Sequence, residues 1–324
     1  MAEPTGRQGV AAGASGSAHG SLCTHGDNRR MSAPLSLRHF LLALAVVAVW
    51  GTNFVVIKLA LGHLPPLLFA ALRFTLALVP ALFFLPYPRV GWRNLAAYGV
   101  LIGVGQFGLL YLAINGHISP GIASLVVQTQ VFFTIGLSMR ISGERVQRFQ
   151  WVALALATWG IATIAWHTDG STTVLGLVTV LGAALSWAGG NIAAKQGAPE
   201  NMLAYVVWSS AFALPPLFGL SLLVEGPAAI WQGLAGASAM TWAAVAWQSW
   251  GNTLFGYAAW GWLLARHPAA TITPMALLVP VFGMGASALF LGEPLPGWKL
   301  GAAALVMGGL AVNILWPRIR QRLA

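Results

Sequence analysis

Trp50-Gly51-Thr52-Asn53-Phe54-Val55-Val56-Ile57-Lys58 closes an apolar run that begins near Phe40, and Trp187 to Lys195 repeats its Trp-to-Lys spacing at the end of another such run. A helix needs roughly 20 apolar residues to cross the hydrocarbon core, and its backbone polar groups must then pair within the helix. Two such stretches in one order, far apart in the chain, predict spanning helices and an internal repeat.

The whole chain agrees with that reading. Of its 324 residues 57% are hydrophobic and 7% are charged, and the mean hydropathy is +0.74. These values place it outside the range of soluble domains. Residues 1–36 are rich in Gly, Ala and Ser and hold too little apolar matter to offset the entropy of ordering, so they are expected to form a disordered tail. Cys23, the one cysteine, lies in that tail, which excludes an intramolecular disulfide and a thiolate metal cluster. The formal charge of +10 is scattered over loops and tails without an aromatic-interleaved basic face, so no nucleic-acid partner is expected. Arg29, Arg30 and Arg38 before the first run resemble a secretory leader. The length of the run and its lack of a small-residue cleavage site favour an uncleaved helix.

Nine more runs follow, at about 65–85, 95–115, 119–138, 149–166, 174–194, 202–223, 240–264, 270–291 and 298–316. Pro, Gly and charge mark the joints, as in Leu64-Pro65-Pro66 and Gly292-Glu293-Pro294. With the N-terminus inside, 14 of the 17 Lys and Arg residues fall on the cytoplasmic side; Lys58, Lys299 and the intramembrane Arg73 are the exceptions. Both termini are then cytoplasmic, as an even number of spans requires.

The halves match in order as well as in spacing. Phe107-Gly108 and Ser119-Pro120 correspond to Phe255-Gly256 and His267-Pro268 at an offset of 148 residues, while Gly143-Glu144 and Gly160 correspond to Gly292-Glu293 and Gly309 at 149. An odd number of spans per copy turns the second copy upside down. The expected fold is an all-α membrane protein of ten transmembrane helices in two inverted five-helix repeats, at 37–167 and 168–317, followed by a basic cytoplasmic tail at 318–324. Inverted repeats can exchange conformations and so expose a midplane site to each side in turn.

Val49 to Lys58, followed by Leu64-Pro65-Pro66 and Leu72-Arg73-Phe74, resembles the opening of the EamA family within the drug/metabolite transporter superfamily. Ser186-Trp187-Ala188-Gly189-Gly190-Asn191-Ile192 and the two Gly-Glu pairs extend the resemblance over roughly residues 38 to 316. The opening stretch is similar to the subgroup that exports amino-acid metabolites such as cysteine and O-acetylserine. The resemblance implies a central cavity, peripheral fifth and tenth helices, residence in the bacterial cytoplasmic membrane and efflux of small amino-acid-like compounds. The N-terminal tail is not part of the pattern.

Arg73 is the one strongly charged residue well inside a predicted span, about eight residues or roughly 12 Å of rise from the outer end. An intramembrane charge marks a substrate carboxylate site or a buried partner such as Glu293, and its alternative is an arginine snorkelling outward. Asn53, Gln106, Tyr111, Gln128, Asn191, Gln248 and Asn252 would supply a neutral polar lining, or would join helices by hydrogen bonds. Trp50 and Trp187 are candidates for cavity walls, against a packing or interfacial role. Lys58 and Lys195 gate the ends or anchor at the interface. Glu144 and Glu293 are expected to cap the fifth and tenth helices.

No Asp or Glu occurs inside a predicted span, which argues against a buried carboxylate relay. Gly103 to Gly108 has dinucleotide-fingerprint spacing but lies in an apolar helix without a preceding strand. His63, His117, His167 and His267 fall in separate connections, so neither metal nor cofactor is expected. The pattern lacks the convergent nucleophile, acid/base pair or metal cluster of a membrane enzyme. A broader drug or sugar-nucleotide carrier is the alternative within the superfamily. The expected partners are a small-molecule substrate and the lipid bilayer, with a homodimer left open.

Overall fold

The computed structural model describes residues 36–142, 147–167 and 171–323. The tail up to residue 35 and Glu144 lie outside them. Every regular element among the described residues is helical. In chain order the helices are α1 (Leu37–Ala60), α2 (Pro66–Ala81), α3 (Trp92–Ile114), α4 (Pro120–Ile141), α5 (Arg148–Trp166), α6 (Val174–Gly197), α7 (202–225), α8 (Gly226–Gly236), α9 (239–266), α10 (269–291) and α11 (Gly297–Leu323).

Ten of these are long rods, and α8 is a short addition that the apolar runs do not announce. Eight helices, counting α7 with α8 as one, are long and apolar enough to cross a bilayer; α2 is apolar but shorter. Rod α9 carries Gln248, Ser249, Asn252 and Thr253 in its middle. The final helix continues through 318–323 where a separate basic tail was expected.

Local chemistry sets the ends. Ser36 accepts the amide of His39, Thr173 that of Gly176, and Asn201 that of Ala204, each satisfying a first-turn donor. Pro66 and Pro120 open α2 and α4, where a missing N–H costs nothing. Gly226 turns the chain between α7 and α8 at φ 83°, in the left-handed region that glycine enters freely.

The rods pair in an exchangeable pattern. Helix α5 packs along α11 and α2 along α7, while α1 lies against α9 and α10 as α6 lies against α3 and α4. Swapping α1 with α6, α2 with α7, α3 with α9, α4 with α10 and α5 with α11 preserves these pairings. Gly160 of α5 lies against Ala302 and Val306 of α11, and Gly309 lies against Ala153 and Ala157. The reciprocal contact runs the two helices antiparallel. Irregular turns match too: nine-residue π segments occupy Val100–Gly108 and Trp247–Phe255, and 3-10 turns occupy Val127–Thr129 and Thr273–Leu277. Such departures from α geometry inside helices concentrate at functional places.

Candidate functional site

Arg73 sits near the middle of α2 and is only 1% exposed. Its guanidinium donates to the Tyr111 hydroxyl of α3 at 3.0 Å and to Thr253 Oγ1 of α9 at 2.7 Å. Phe107 lies beneath it, with the guanidinium carbon 3.8 Å from the ring centroid, and Phe74 flanks it at 4.8 Å. Tyr111 donates onward to Gln248 Oε1 at 3.1 Å, and Thr253 donates to the Gln248 carbonyl at 3.0 Å. Ser249 returns a bond to the Arg73 carbonyl at 2.8 Å. Three helices are thereby fixed around one cation.

No carboxylate pairs with this cation among the described residues. Snorkelling is excluded by the burial, and Glu293 is engaged elsewhere. Its carboxylate accepts from Ser119 and from the Gly121 amide, and it pairs with Lys299 Nζ at 3.1 Å. Glu293 therefore caps α4, in the other half of the chain, rather than the helix that follows it. An arginine keeps its charge in proteins, and burying an ion without a counter-ion costs several kcal/mol. The aromatic faces and hydroxyl acceptors offset part of that cost. Arg73 Nε and Gln248 Nε2 still lack a partner, so two donors in one cluster remain available to an incoming acceptor.

The other polar candidates separate into groups. Asn53 and Gln106 are buried, each with its side-chain oxygen unpartnered. Asn191 donates to Gln130 at 2.8 Å and to Thr134 at 3.2 Å, joining α6 to α4. The Gln128 amide faces the Ala276 carbonyl at 3.5 Å, so the two 3-10 turns meet. Trp50 donates to the Asn252 carbonyl at 3.2 Å and packs on Tyr257 and Trp260, which makes it a binder of α1 to α9. Trp187 is half-buried against the main core. Lys58 donates to the Ile114 carbonyl at 3.3 Å and so caps the end of α3, while Lys195 is exposed at the end of α6.

Sequence reading missed Phe107, Ser249 and Thr253 as members of the cluster. The signal was present, because Gln248, Ser249, Asn252 and Thr253 stand at i, i+1, i+4 and i+5 and form one polar stripe on a helix. It also missed Glu225, whose carboxylate accepts the amides of Leu67 and Leu68 at the start of α2.

Known proteins place the polytopic helical bundle that holds this cluster. The model of the EamA-like transporter family matches residues 37–166 and again 174–315. A Salmonella typhimurium protein named a probable amino-acid metabolite efflux pump is 41% identical over 293 residues, covering 89% of this chain and 98% of the relative. An Escherichia coli protein of the same name is 39% identical over the same coverage. A solved structure, 19% identical, superposes with a TM-score of 0.59 and covers 87% of this chain and 97% of its own, which supports the fold. With both halves matched and two relatives aligned nearly end to end, this multi-pass membrane protein belongs to the EamA-like transporter family.

Proposed function

We propose that the protein exports small amino-acid metabolites, cysteine-like or O-acetylserine-like compounds among them, across the bacterial cytoplasmic membrane. The observation that carries this reading is Arg73: a buried cation without a carboxylate partner among the described residues, beside the unpartnered donors Arg73 Nε and Gln248 Nε2. A substrate carboxylate supplies the missing charge and accepts from both. Arginine suits that task because its planar fork matches a carboxylate's two oxygens. The unpartnered acceptors Asn53 Oδ1 and Gln106 Oε1 suit an ammonium group better than a second anion.

The mechanism proposed is alternating access by two inverted repeats, at 37–167 and 168–317, with both termini cytoplasmic. The antiparallel, reciprocal contact of α5 with α11 supports inversion, since copies related by an axis along the membrane normal would set equivalent helices parallel. The Arg73 cluster is closed to solvent, with Tyr111 and Gln248 at 0% exposure, so substrate entry requires the rods to part.

The test is efflux from proteoliposomes loaded with labelled cysteine, O-acetylserine, a dipeptide, a sugar nucleotide or a cationic drug. Flux of the first two that falls at least tenfold in Arg73→Lys, with the fold intact, is the expected result. Flux restricted to the drug or the sugar nucleotide overturns the substrate class. Flux of the amino acids that is indifferent to Arg73→Lys overturns the site.

A further inference from the structure

Glu225 has no place in the reading so far, and its surroundings are unusual. The described residues contain three carboxylates, those of Glu200, Glu225 and Glu293. Glu200 is exposed, and Glu293 is neutralised by Lys299. Glu225 is half-buried and has no cationic partner among the described residues. It is held by donors alone: the amides of Leu67 and Leu68, the latter at 3.1 Å, and the Ser221 hydroxyl at 2.6 Å.

Those two amides are first-turn donors of α2, which have no partner inside their own helix. The same α2 carries Arg73 about one and a half turns further on. Immediately after Glu225 the chain turns at Gly226 into α8, which lies over the α1–α2 connection so closely that a Cβ on Gly233 would sit 2.7 Å from Pro65 Cδ. The corner of α7 and α8 thus holds both the start of α2 and the loop before it. Nearby, residues 61–66, Asn115 and α8 line a cavity of about 390 Å³ that opens at this end of the bundle.

We infer that Glu225 is a positioning residue of the transport cycle: its ionised carboxylate latches the start of the Arg73-bearing helix at the outer end, and loss of that charge lets α2 leave the α7–α8 corner. The inference rests on alternating access as proposed above. A carboxylate accepts from all three donors at once, whereas a protonated one loses charge assistance and presents a proton toward an amide. The charged form therefore favours the closed end. Other ionisable groups in this corner are His63 in the α1–α2 connection, Lys58 at the end of α1 and His117 after α3; α8 carries none.

The test needs no substrate. In a Cys23→Ser background, Ala70→Cys places a thiol at a position on α2 that is 0% exposed, just beyond the latched amides. Its labelling by a membrane-impermeant maleimide, applied from outside to cells or right-side-out vesicles, reports opening. Glu225→Gln is expected to raise the labelling rate about tenfold, the worth of one charge-assisted bond's advantage. Glu225→Asp, which keeps the charge, should raise it less than threefold.

Should Glu225→Gln fail to reach the membrane, Ser221→Ala removes one donor to the same carboxylate and should raise labelling about threefold. Unchanged labelling in the variant that folds overturns the latch. In reconstituted efflux, Glu225→Gln should lower the maximal rate with KM within twofold, whereas Arg73→Lys should raise KM without altering labelling. Failure of the latch and failure of the Arg73 site are therefore read on different axes.

Discussion

Replacing Arg73 with Met should make the protein more stable and abolish transport. The side chain is 1% exposed and lacks a counter-ion among the described residues, so its removal leaves no opposite charge stranded. That separates it from the usual broken ion pair, in which the surviving partner costs 3–5 kcal/mol. Both hydroxyls that accept from Arg73 keep their own donor bonds, Tyr111 to Gln248 Oε1 and Thr253 to the Gln248 carbonyl. Met fills an irregular space readily and lies well against Phe107 and Phe74. Against the loss of a cation–π contact of about 2 kcal/mol and two charged hydrogen bonds stands the relief of a buried ion, and hydrophobic replacement of buried ions gains about 1–4 kcal/mol in the net. A rise of a few degrees in the unfolding temperature is expected, followed by tryptophan fluorescence in detergent. Efflux of an amino-acid substrate from proteoliposomes should fall at least 100-fold, because two charge-assisted bonds to a carboxylate contribute about 3 kcal/mol or more. A Met variant that unfolds several degrees earlier, with flux lost only in proportion to unfolded protein, would refute the reasoning and make Arg73 a structural keystone.

Tyr111→Phe removes the hydroxyl between Arg73 and Gln248 and should weaken apparent substrate affinity about tenfold in the same efflux assay, with stability changed by less than about 1.5 kcal/mol. Lys299→Met leaves Glu293 buried without its cation and should destabilise by about 3–5 kcal/mol; adding Glu293→Gln should recover at least half, as read from unfolding temperatures. Gly51→Val should prevent folded protein from accumulating, since even a Cβ there would sit 2.5 Å from Phe282 Cβ and 2.6 Å from the Val279 carbonyl oxygen. Gly285→Val, with open space at the same test, should accumulate normally on a fluorescence-detected size-exclusion profile.

The positions of the rods were legible because apolar length and Pro, Gly or polar joints are local properties. Arg73 was legible for a similar reason: a charge inside an apolar run is conspicuous whatever surrounds it. Its partners were less so. Tyr111 and Gln248 could be named as polar residues in spans, but the bond between them joins α3 to α9 across 137 positions of sequence. Glu293 was visible as a capping residue, yet the helix it caps lies 172 positions away, at Gly121. Glu225 capping α2 is the same case. A first-turn amide can be served by any acceptor that the tertiary fold brings near, so the sequence around α2 and α4 carries no mark of who serves it.

Both long-range caps tie one half of the chain to the other, and the helix seams bear on how a carrier of the kind proposed above acquires a direction. Glu225 and Glu293 belong to the second half, and each holds a helix start in the first. The helix seams differ between the halves. Gly51 of α1 brings backbone against backbone of α10, whereas its counterpart by the Trp-to-Lys spacing is Ala188, so the matching seam of α6 carries one methyl more. If the halves alternate as proposed, two copies with identical seams would give two states related by a two-fold rotation and equal in free energy, and neither side would be preferred at rest. Unequal seams remove that degeneracy. A carrier built in this way has a preferred closed side set by its own residues, and a gradient or a substrate then has to work against that preference by at least its free energy.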